Sequence, residues 1–292
     1  MKLTGSIVAL ITPFTGTGAV DFDKLKELIQ WHIGQGTDGI VVLGTTGEAV
    51  TMSHEECVAV VKAAVETAKG RVPIIAGSGS NSTAAMLEKS LEYEALGADG
   101  LLLISPYYNK ANPEGMYLHF KTVADAVHVP CILYNVPGRT GCSIPVEVVG
   151  RLAKHPNVAA IKEASGDIAY AAKVARFVCD DFAMYSGNDD QVLPILSLGG
   201  SGVISVWANV MPAEVHEMVS CFLNGDLKRA QQLQLGCLPF VNGLFMEVNP
   251  IPVKEAMNLR GMNVGQYRLP LYPMSEGNRD KLKTIMKECG LL

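Results

Sequence analysis

One lysine, Lys162, stands at the end of a short apolar segment of the chain, residues 158–162, and small residues follow it. Burial at such a position disfavours the charged form of an amine. More of the side chain is then the neutral nucleophile that condenses with a ketone to form a Schiff base. The alternative is a lysine at a strand edge whose stem packs while its amine reaches water. The segment by itself leaves both interpretations open.

Other polar side chains follow other apolar segments. Thr45 and Thr46 lie in a turn that could offer successive backbone N–H groups to a carboxylate, or could simply be a tight turn capped by threonines. Tyr134 and Tyr108 carry hydroxyls that can shuttle protons, although half-buried tyrosines are common. Arg139 lies in a glycine-rich loop, where it could bind a substrate carboxylate through two hydrogen bonds or be solvated.

The acidic side chains and the histidines give little indication of a catalytic role. Asp189 and Asp190 precede a predicted helix, and we expect them to cap it. The six histidines fall away from the predicted strand ends, so we expect no metal site there. No Gly-x-Ser-x-Gly motif is present, which argues against a serine hydrolase.

Eight apolar segments of strand length must position these side chains, and a helical pattern follows each of them. Near-continuous apolar strands indicate burial on both faces, as in a parallel sheet. The predicted fold class is α/β, a closed (β/α)8 TIM barrel, whose active site would lie at the carboxyl ends of its strands. A doubly wound sheet is the alternative, but the Gly-x-Gly-x-x-Gly typical of that fold is missing after the first strand. The predicted strands are residues 7–12, 39–44, 73–77, 100–105, 130–135, 158–162, 182–186 and 202–207.

Helix signals mark the segments between the strands. Ser53 and Glu56 have the spacing of a capping box, and Asn112 followed by Pro113 predicts another helix start. We expect residues 1–225 to form the catalytic barrel and residues 226–292 a helical C-terminal region. Within that region the predicted helices are 227–236, 253–259 and 278–289.

Composition excludes several classes of partner. The 292 residues carry a net charge of −5, without a basic stripe, so we expect no nucleic acid and no anionic membrane as partner. No apolar run has the length of a membrane span. The seven cysteines are odd in number and widely spaced, without a Cys-x-x-Cys pair. Reduced thiols and a cytoplasmic location are the simplest account.

Three motifs of the chain stand out together. They are Gly44-Thr45-Thr46-Gly47-Glu48, Tyr134-Asn135-Val136-Pro137-Gly138-Arg139-Thr140-Gly141 and Ile161-Lys162-Glu163-Ala164-Ser165-Gly166. They resemble the signatures of the dihydrodipicolinate synthase family, within the pyruvate-dependent class I aldolase superfamily, and the resemblance extends over essentially the whole chain. It implies Schiff-base condensation of pyruvate with L-aspartate 4-semialdehyde, in diaminopimelate and lysine biosynthesis, without metal or organic cofactor.

The resemblance also implies a role for each site residue. Lys162 would form the Schiff base, while Tyr134, Thr46 and Tyr108 would relay protons, with Tyr108 supplied across a dimer interface. Thr45 and Thr46 would hold the pyruvate carboxylate, and Arg139 the carboxylate of the semialdehyde. The backbones of two further residues would contact the substrate near the lysine. These residues are Gly187 and Ile204. A homotetramer, built as a dimer of dimers, is implied.

A regulatory site is implied only in a degenerate form. Many members of the family are inhibited by L-lysine at the tight-dimer interface, and His54, Asn81 and Tyr107 match that site. Ala85 stands where inhibited members carry a glutamate, and Ala49 and Cys57 depart from the common pattern as well. We therefore predict weak or absent inhibition by L-lysine.

Two other functions remain as alternatives. One alternative is a related aldolase such as N-acetylneuraminate lyase, which would share the lysine and the tyrosine. The presence of Arg139 makes the chain resemble the synthases instead, because the lyases lack an arginine at this position. A catalytically silent barrel that binds a keto acid is the second alternative. The joint presence of Lys162, Tyr134, Thr46 and Tyr108 argues against it.

Overall fold

The computed structural model describes residues 3–292, and eight parallel strands in it close into a barrel. Each strand pairs with the next in the sequence, and β1 closes the circle by pairing with β8. The predicted TIM barrel is confirmed. The strands are β1 (Gly5–Ala9), β2 (Gly39–Val42), β3 (Ile74–Gly77), β4 (Gly100–Ile104), β5 (Cys131–Asn135), β6 (Val158–Glu163), β7 (Ala183–Ser186) and β8 (Gly202–Ser205).

Thirteen helices within residues 3–292 surround the barrel and extend it at the C-terminus. They are α1 (Phe22–Gly34), α2 (His54–Ala68), α3 (Thr83–Ala95), α4 (Pro113–Ala126), α5 (Pro137–Thr140), α6 (Val146–Leu152), α7 (Ile168–Ala175), α8 (Val192–Ser197), α9 (Pro212–Leu223), α10 (Leu227–Gly236), α11 (Leu238–Gly243), α12 (Ile251–Leu259) and α13 (Glu276–Glu288). Short 3₁₀ turns cover Ala49–Thr51, Asp189–Gln191 and Trp207–Asn209.

The helix starts follow the predicted capping chemistry. The Ser53 hydroxyl accepts from the Glu56 backbone N–H at 3.2 Å, and the Glu56 carboxylate accepts from the Ser53 N–H at 3.0 Å, which completes a capping box for α2. The Asn112 side chain accepts from Gly115 N at 2.8 Å at the start of α4. Each of these bonds satisfies a backbone donor that a helix terminus leaves open.

Two apolar layers hold the barrel together. Alternate strand residues such as Ile7, Ile75 and Ile132 fill the interior of the barrel, and the opposite strand faces pack against the helices. The alternation follows from the two-residue period of a strand. Within residues 3–292, no helix combines the length and the apolar character that a membrane span requires.

Candidate active site

Lys162 lies on β6, one residue before the strand ends, and its side chain points into the barrel mouth. The residue is 5% exposed, and its Nζ lies 4.4 Å from the ring centroid of Tyr134. Burial is the main cause that lowers the pKa of Lys162 to about 8; the Asp189 carboxylate opposes this fall, and the Arg139 guanidinium adds to it. The amine is therefore partly neutral near pH 7, as a Schiff-base nucleophile requires.

A cavity of about 60 Å³ at the carboxyl end of the strands brings most of the predicted residues together. Its wall combines an amine, hydroxyls and a guanidinium, the set that a keto acid would meet. The polar side chains that line it are those of Thr45, Thr46, Tyr134, Arg139, Lys162, Asn188 and Asn249. Barrel enzymes hold their active sites at this end of the strands.

A second and larger cavity of about 800 Å³ lies among residues that begin the strands, including Pro73, Gly100 and Pro130. Barrel active sites lie at the other end, so we assign the chemistry to the smaller cavity that contains Lys162. Within residues 3–292, no group of three or more His, Cys, Asp or Glu side chains is arranged to hold a metal ion.

The two threonines of the β2 turn have different partners. Tyr134 is hydrogen-bonded by the Thr45 side chain, whereas Thr46 is buried and its Oγ1 accepts from Asn249 Nδ2 at 3.0 Å. Burial raises the pKa of Tyr134, while Arg139 and Thr45 oppose that rise. In the isolated chain, Thr45 is thus close enough to Tyr134 to affect its pKa, and the role of Thr46 in a proton relay stays a prediction.

Arg139 lies on α5, a short helix where the sequence suggested only a loop. Its Nη2 donates to the backbone oxygen of Asn249 at 3.3 Å. The guanidinium is close enough to both Lys162 and Tyr134 to shift their pKa values. A cation so placed can bind the carboxylate of an incoming substrate.

Asp189 does not cap the helix that follows it, so that prediction is wrong. Its carboxylate is 1% exposed and its Oδ2 accepts from the backbone N–H groups of Val206 at 2.9 Å and Trp207 at 2.8 Å, after β8. Burial raises the pKa of Asp189, whereas these donors, Ser205 and the Lys162 amine favour the ionised form. We therefore treat Asp189 as a carboxylate whose charge acts on Lys162.

The C-terminal region supplies two side chains that the sequence did not single out. Asn249, between α11 and α12, contacts both Thr46 and Arg139. Lys254 on α12 is wholly buried and pairs with Glu48 at 2.9 Å. The contacts are more than a hundred residues apart in sequence, so no local pattern could indicate them.

Of the two residues predicted to contact the substrate through their backbones, Gly187 lies at the cavity and Ile204 does not. A Cβ on Gly187 would lie 2.6 Å from the Ala164 Cβ and 3.0 Å from the Lys162 Cε, so only glycine leaves room for the lysine stem. Gly187 lines the cavity, whereas Ile204 is buried on β8 within the barrel interior and is not part of the cavity wall.

Tyr108 lies outside the cavity of the single chain. It is 92% exposed and has a left-handed backbone with φ of 69°. Such a conformation is uncommon for a tyrosine. The chain by itself therefore does not bring Tyr108 to Lys162.

The residues of the implied regulatory site lie near an adjoining cavity of about 150 Å³, which is lined by Tyr107, Lys89 and Cys57 among others and shares Thr45 and Tyr134 with the cavity of Lys162. Asn81 Nδ2 donates to the Tyr107 backbone oxygen at 3.3 Å, and His54 lies 3.3 Å from a Glu92 carboxylate oxygen. The structure thus adds a lysine side chain, Lys89, to this region.

Comparisons with known proteins agree with this geometry. The model of the dihydrodipicolinate synthetase family matches residues 2–289. A 4-hydroxy-tetrahydrodipicolinate synthase of Thermoanaerobacter sp. is 53% identical over 289 residues, which cover 99% of this chain and 97% of that protein.

Solved structures give the same result. The dihydrodipicolinate synthase of Acinetobacter baumannii, complexed with pyruvate, is 43% identical over the full length of both chains, with a TM-score of 0.97. The enzyme of Cyanidioschyzon merolae, with lysine bound, is 38% identical over 99% of each chain, with a TM-score of 0.96. The chain belongs to the dihydrodipicolinate synthetase family.

Proposed function

We propose that this chain condenses pyruvate with L-aspartate 4-semialdehyde, with Lys162 as the Schiff-base residue. Family membership makes the chain a lyase of the class I aldolase type, with the activity of 4-hydroxy-tetrahydrodipicolinate synthases in diaminopimelate and lysine biosynthesis. The observation that carries the assignment of the residue is the buried amine with a pKa of about 8 at the mouth of the barrel.

The first half of the reaction follows from the chemistry of that amine. Neutral Lys162 attacks the keto carbon of pyruvate, and the adduct loses water to form a protonated imine. Loss of a methyl proton then gives an enamine. A pyruvate-bound relative at 43% identity supports pyruvate as the first substrate. Backbone N–H groups of Thr45 and Thr46 are our candidates for holding its carboxylate.

The second half forms a carbon–carbon bond. The enamine carbon attacks the aldehyde carbon of the semialdehyde, whose carboxylate would pair with Arg139. The new alkoxide takes a proton, for which the Tyr134 hydroxyl is our candidate donor. The semialdehyde amine then attacks the imine carbon, displaces Lys162 and closes the ring.

For the proton relay, we propose an assignment that differs in one threonine from the one that the resemblance implies. We propose Tyr134 and Thr45 as the part of the relay within one chain, because the Thr45 side chain is hydrogen-bonded to Tyr134. Thr46, held by Asn249, would bind substrate. Tyr108 would complete the relay from a second subunit of a homotetramer, and we retain the cytoplasm as the expected location.

A coupled assay tests the proposed reaction. Consumption of L-aspartate 4-semialdehyde is followed through a reductase that oxidises NADPH in the presence of product. We expect turnover that requires both substrates, and a loss of about a thousandfold or more in Lys162→Ala. Folding of the variant is checked by circular dichroism. Turnover by folded Lys162→Ala at a comparable rate would refute the Schiff-base assignment.

A further inference from the structure

Two polar residues of the sequence motifs, Asn135 and Glu163, lie beside the site without lining its cavity. Asn135 directly follows Tyr134 on β5, and β5 ends there. Glu163 directly follows Lys162 on β6, and β6 ends there. The two strands pair in parallel and place Tyr134 opposite Lys162, and the same register places Asn135 opposite Glu163. Because side chains alternate between the faces of a strand, Asn135 and Glu163 point away from the barrel interior and toward the helices.

The side chains of Asn135 and Glu163 meet on that outer face. Asn135 is wholly buried, and Glu163 is 3% exposed. Asn135 Nδ2 donates to Glu163 Oε2 at 2.8 Å. Two backbone N–H groups complete the pair: Ile144 donates to Asn135 Oδ1 at 2.9 Å, and Ser165 donates to Glu163 Oε1 at 2.7 Å. Each side-chain nitrogen and oxygen of the pair thus has a partner, as buried polar groups require.

These hydrogen bonds close the two segments that carry residues of the site. The bond between Ile144 and Asn135 spans the intervening segment, which contains α5 with Arg139. The bond within the turn after β6 fixes the backbone that directly follows Lys162. The bond between the two side chains joins both segments at the point where the strands end. The arginine, the lysine and the tyrosine of the site therefore stand on segments that one pair of side chains connects.

We propose that Asn135 and Glu163 are positioning residues, which hold the Lys162 amine and the Tyr134 hydroxyl in the relative place that the reaction requires. The inference rests on the proposed function, because it concerns the same lysine and tyrosine. A displacement of about 1 Å between reacting groups can slow an enzyme by about a hundredfold. The pair continues the connection between β5 and β6 beyond the last paired residues, so its loss would displace the strand ends that carry both groups.

The pair requires a carboxylate at one position and an amide at the other. Glu163 accepts with both oxygens, whereas Asn135 donates with one atom and accepts with the other. Burial raises the pKa of Glu163, while its bonds with Ser165 and Asn135 oppose that rise and favour the form that accepts twice. Glu163→Gln would set an amide N–H against another donor, whichever way the amide is turned. Asn135→Asp would set two carboxylates against each other.

An exchange of the two groups provides the test. Asn135→Asp combined with Glu163→Gln keeps one carboxylate and one amide. The new glutamine would then donate to the new aspartate and still accept from Ser165, while the aspartate would still accept from Ile144. Each single variant breaks the pattern of hydrogen bonds, and the double variant restores it, so rescue separates the pattern from the mere presence of the native side chains.

A control lies at the other end of β6. Asn157 directly precedes this strand, and its Nδ2 donates to the backbone oxygen of Ala124 at 3.1 Å. Asn157→Asp would set a carboxylate against that oxygen at the end of the strand opposite Lys162. It should lower stability without displacing the site, and denaturant titration compares its free energy of unfolding with those of the single variants.

We expect kcat in the coupled assay to fall about tenfold or more in Glu163→Gln and in Asn135→Asp. The KM for pyruvate should change less than about threefold, because the threonine turn after β2 lies outside the pair. The double variant should recover kcat to within about threefold of the unsubstituted enzyme. Asn157→Asp should keep kcat within about twofold.

Glu163→Asp replaces Glu163→Gln if that variant does not fold. It keeps both oxygens on a shorter side chain and should lower kcat about threefold or more. Unchanged kcat in the folded single variants would overturn the proposal, as would a double variant no more active than they are. An equal fall in kcat in Asn157→Asp would trace the losses to stability and overturn it as well. Absence of turnover in the unsubstituted enzyme would instead refute the proposed function, so the two failures are distinguishable.

Discussion

At the scale of the residue, the activity of Lys162 is governed by the charges around it. The amine attacks only when neutral, so pyruvate-dependent activity should rise with pH through about 8. Asp189 favours the ammonium form and Arg139 disfavours it. The two neighbours therefore give opposite and testable shifts.

Asp189→Asn removes the negative charge, so the pKa of Lys162 should fall and the rising limb of the pH profile should move to lower pH. Arg139→Met removes the positive charge, and the limb should move to higher pH. The measurement is the pH dependence of the borohydride trapping rate with pyruvate alone, which does not require the second substrate. Shifts in the same direction for both variants would contradict this electrostatic account.

Some residues of the site could be predicted from the sequence and others could not. Lys162 could be found because a lysine that closes an apolar strand is visible locally. Asp189 and Asn249 could not, since their partners depend on how distant segments meet. Asp189 even resembled a helix cap, because an acidic residue before a helix usually is one.

At the scale of the element, local patterns predicted the barrel well. All eight predicted strands are present, with ends shifted by at most three residues, and the helix 227–236 has the predicted bounds. The helices α5 and α11 were missed because they are short and contain proline or glycine. The division into a barrel of residues 1–225 and a C-terminal region of residues 226–292 stays a prediction. Asn249 and Lys254 of the C-terminal region form hydrogen bonds with residues at the barrel mouth.

The buried pair of Lys254 and Glu48 fastens α12 to the turn that carries the threonines. Lys254 Nζ also donates to the backbone oxygen of Thr12 at 3.1 Å. Lys254→Met should lower the free energy of unfolding by about 3–5 kcal/mol, because the Glu48 carboxylate would stay buried without its counter-ion and would keep only the backbone N–H of Arg268 as a donor. Denaturant titration of both proteins measures this difference in the free energy of unfolding.

Two controls accompany this variant. Lys121→Met breaks an exposed pair with Asp125 and should cost less than about 1 kcal/mol. Adding Glu48→Gln to Lys254→Met should recover part of the loss. A Lys254→Met protein as stable as Lys121→Met would show that the buried pair does not hold α12.

The helix α3 carries the features that bear on regulation. Ala85 offers no carboxylate to a bound cation, and Lys89 lines the nearby cavity with a positive charge of its own. We predict that half-inhibition by L-lysine requires more than about a millimolar. Ala85→Glu combined with Lys89→Leu should lower that concentration. Strong inhibition of the unsubstituted enzyme below a millimolar would contradict the prediction.

At the scale of the whole molecule, the site requires a second subunit if Tyr108 acts in trans. Lys162→Ala and Tyr108→Phe subunits, each defective alone, can be unfolded together and refolded as a mixture. Statistical pairing would give half heterodimers, each with one intact site, so about a quarter of the wild-type activity should return. A mixture no more active than its components would place Tyr108 outside the partner's site.

The central claim is that Lys162 forms the covalent bond with the substrate. Protein treated with pyruvate and borohydride should gain the mass of one reduced pyruvate adduct per chain, and peptide mass spectrometry should locate it on Lys162. Lys162→Ala should gain none. An adduct on another lysine, or turnover without any trapped adduct, would contradict the account.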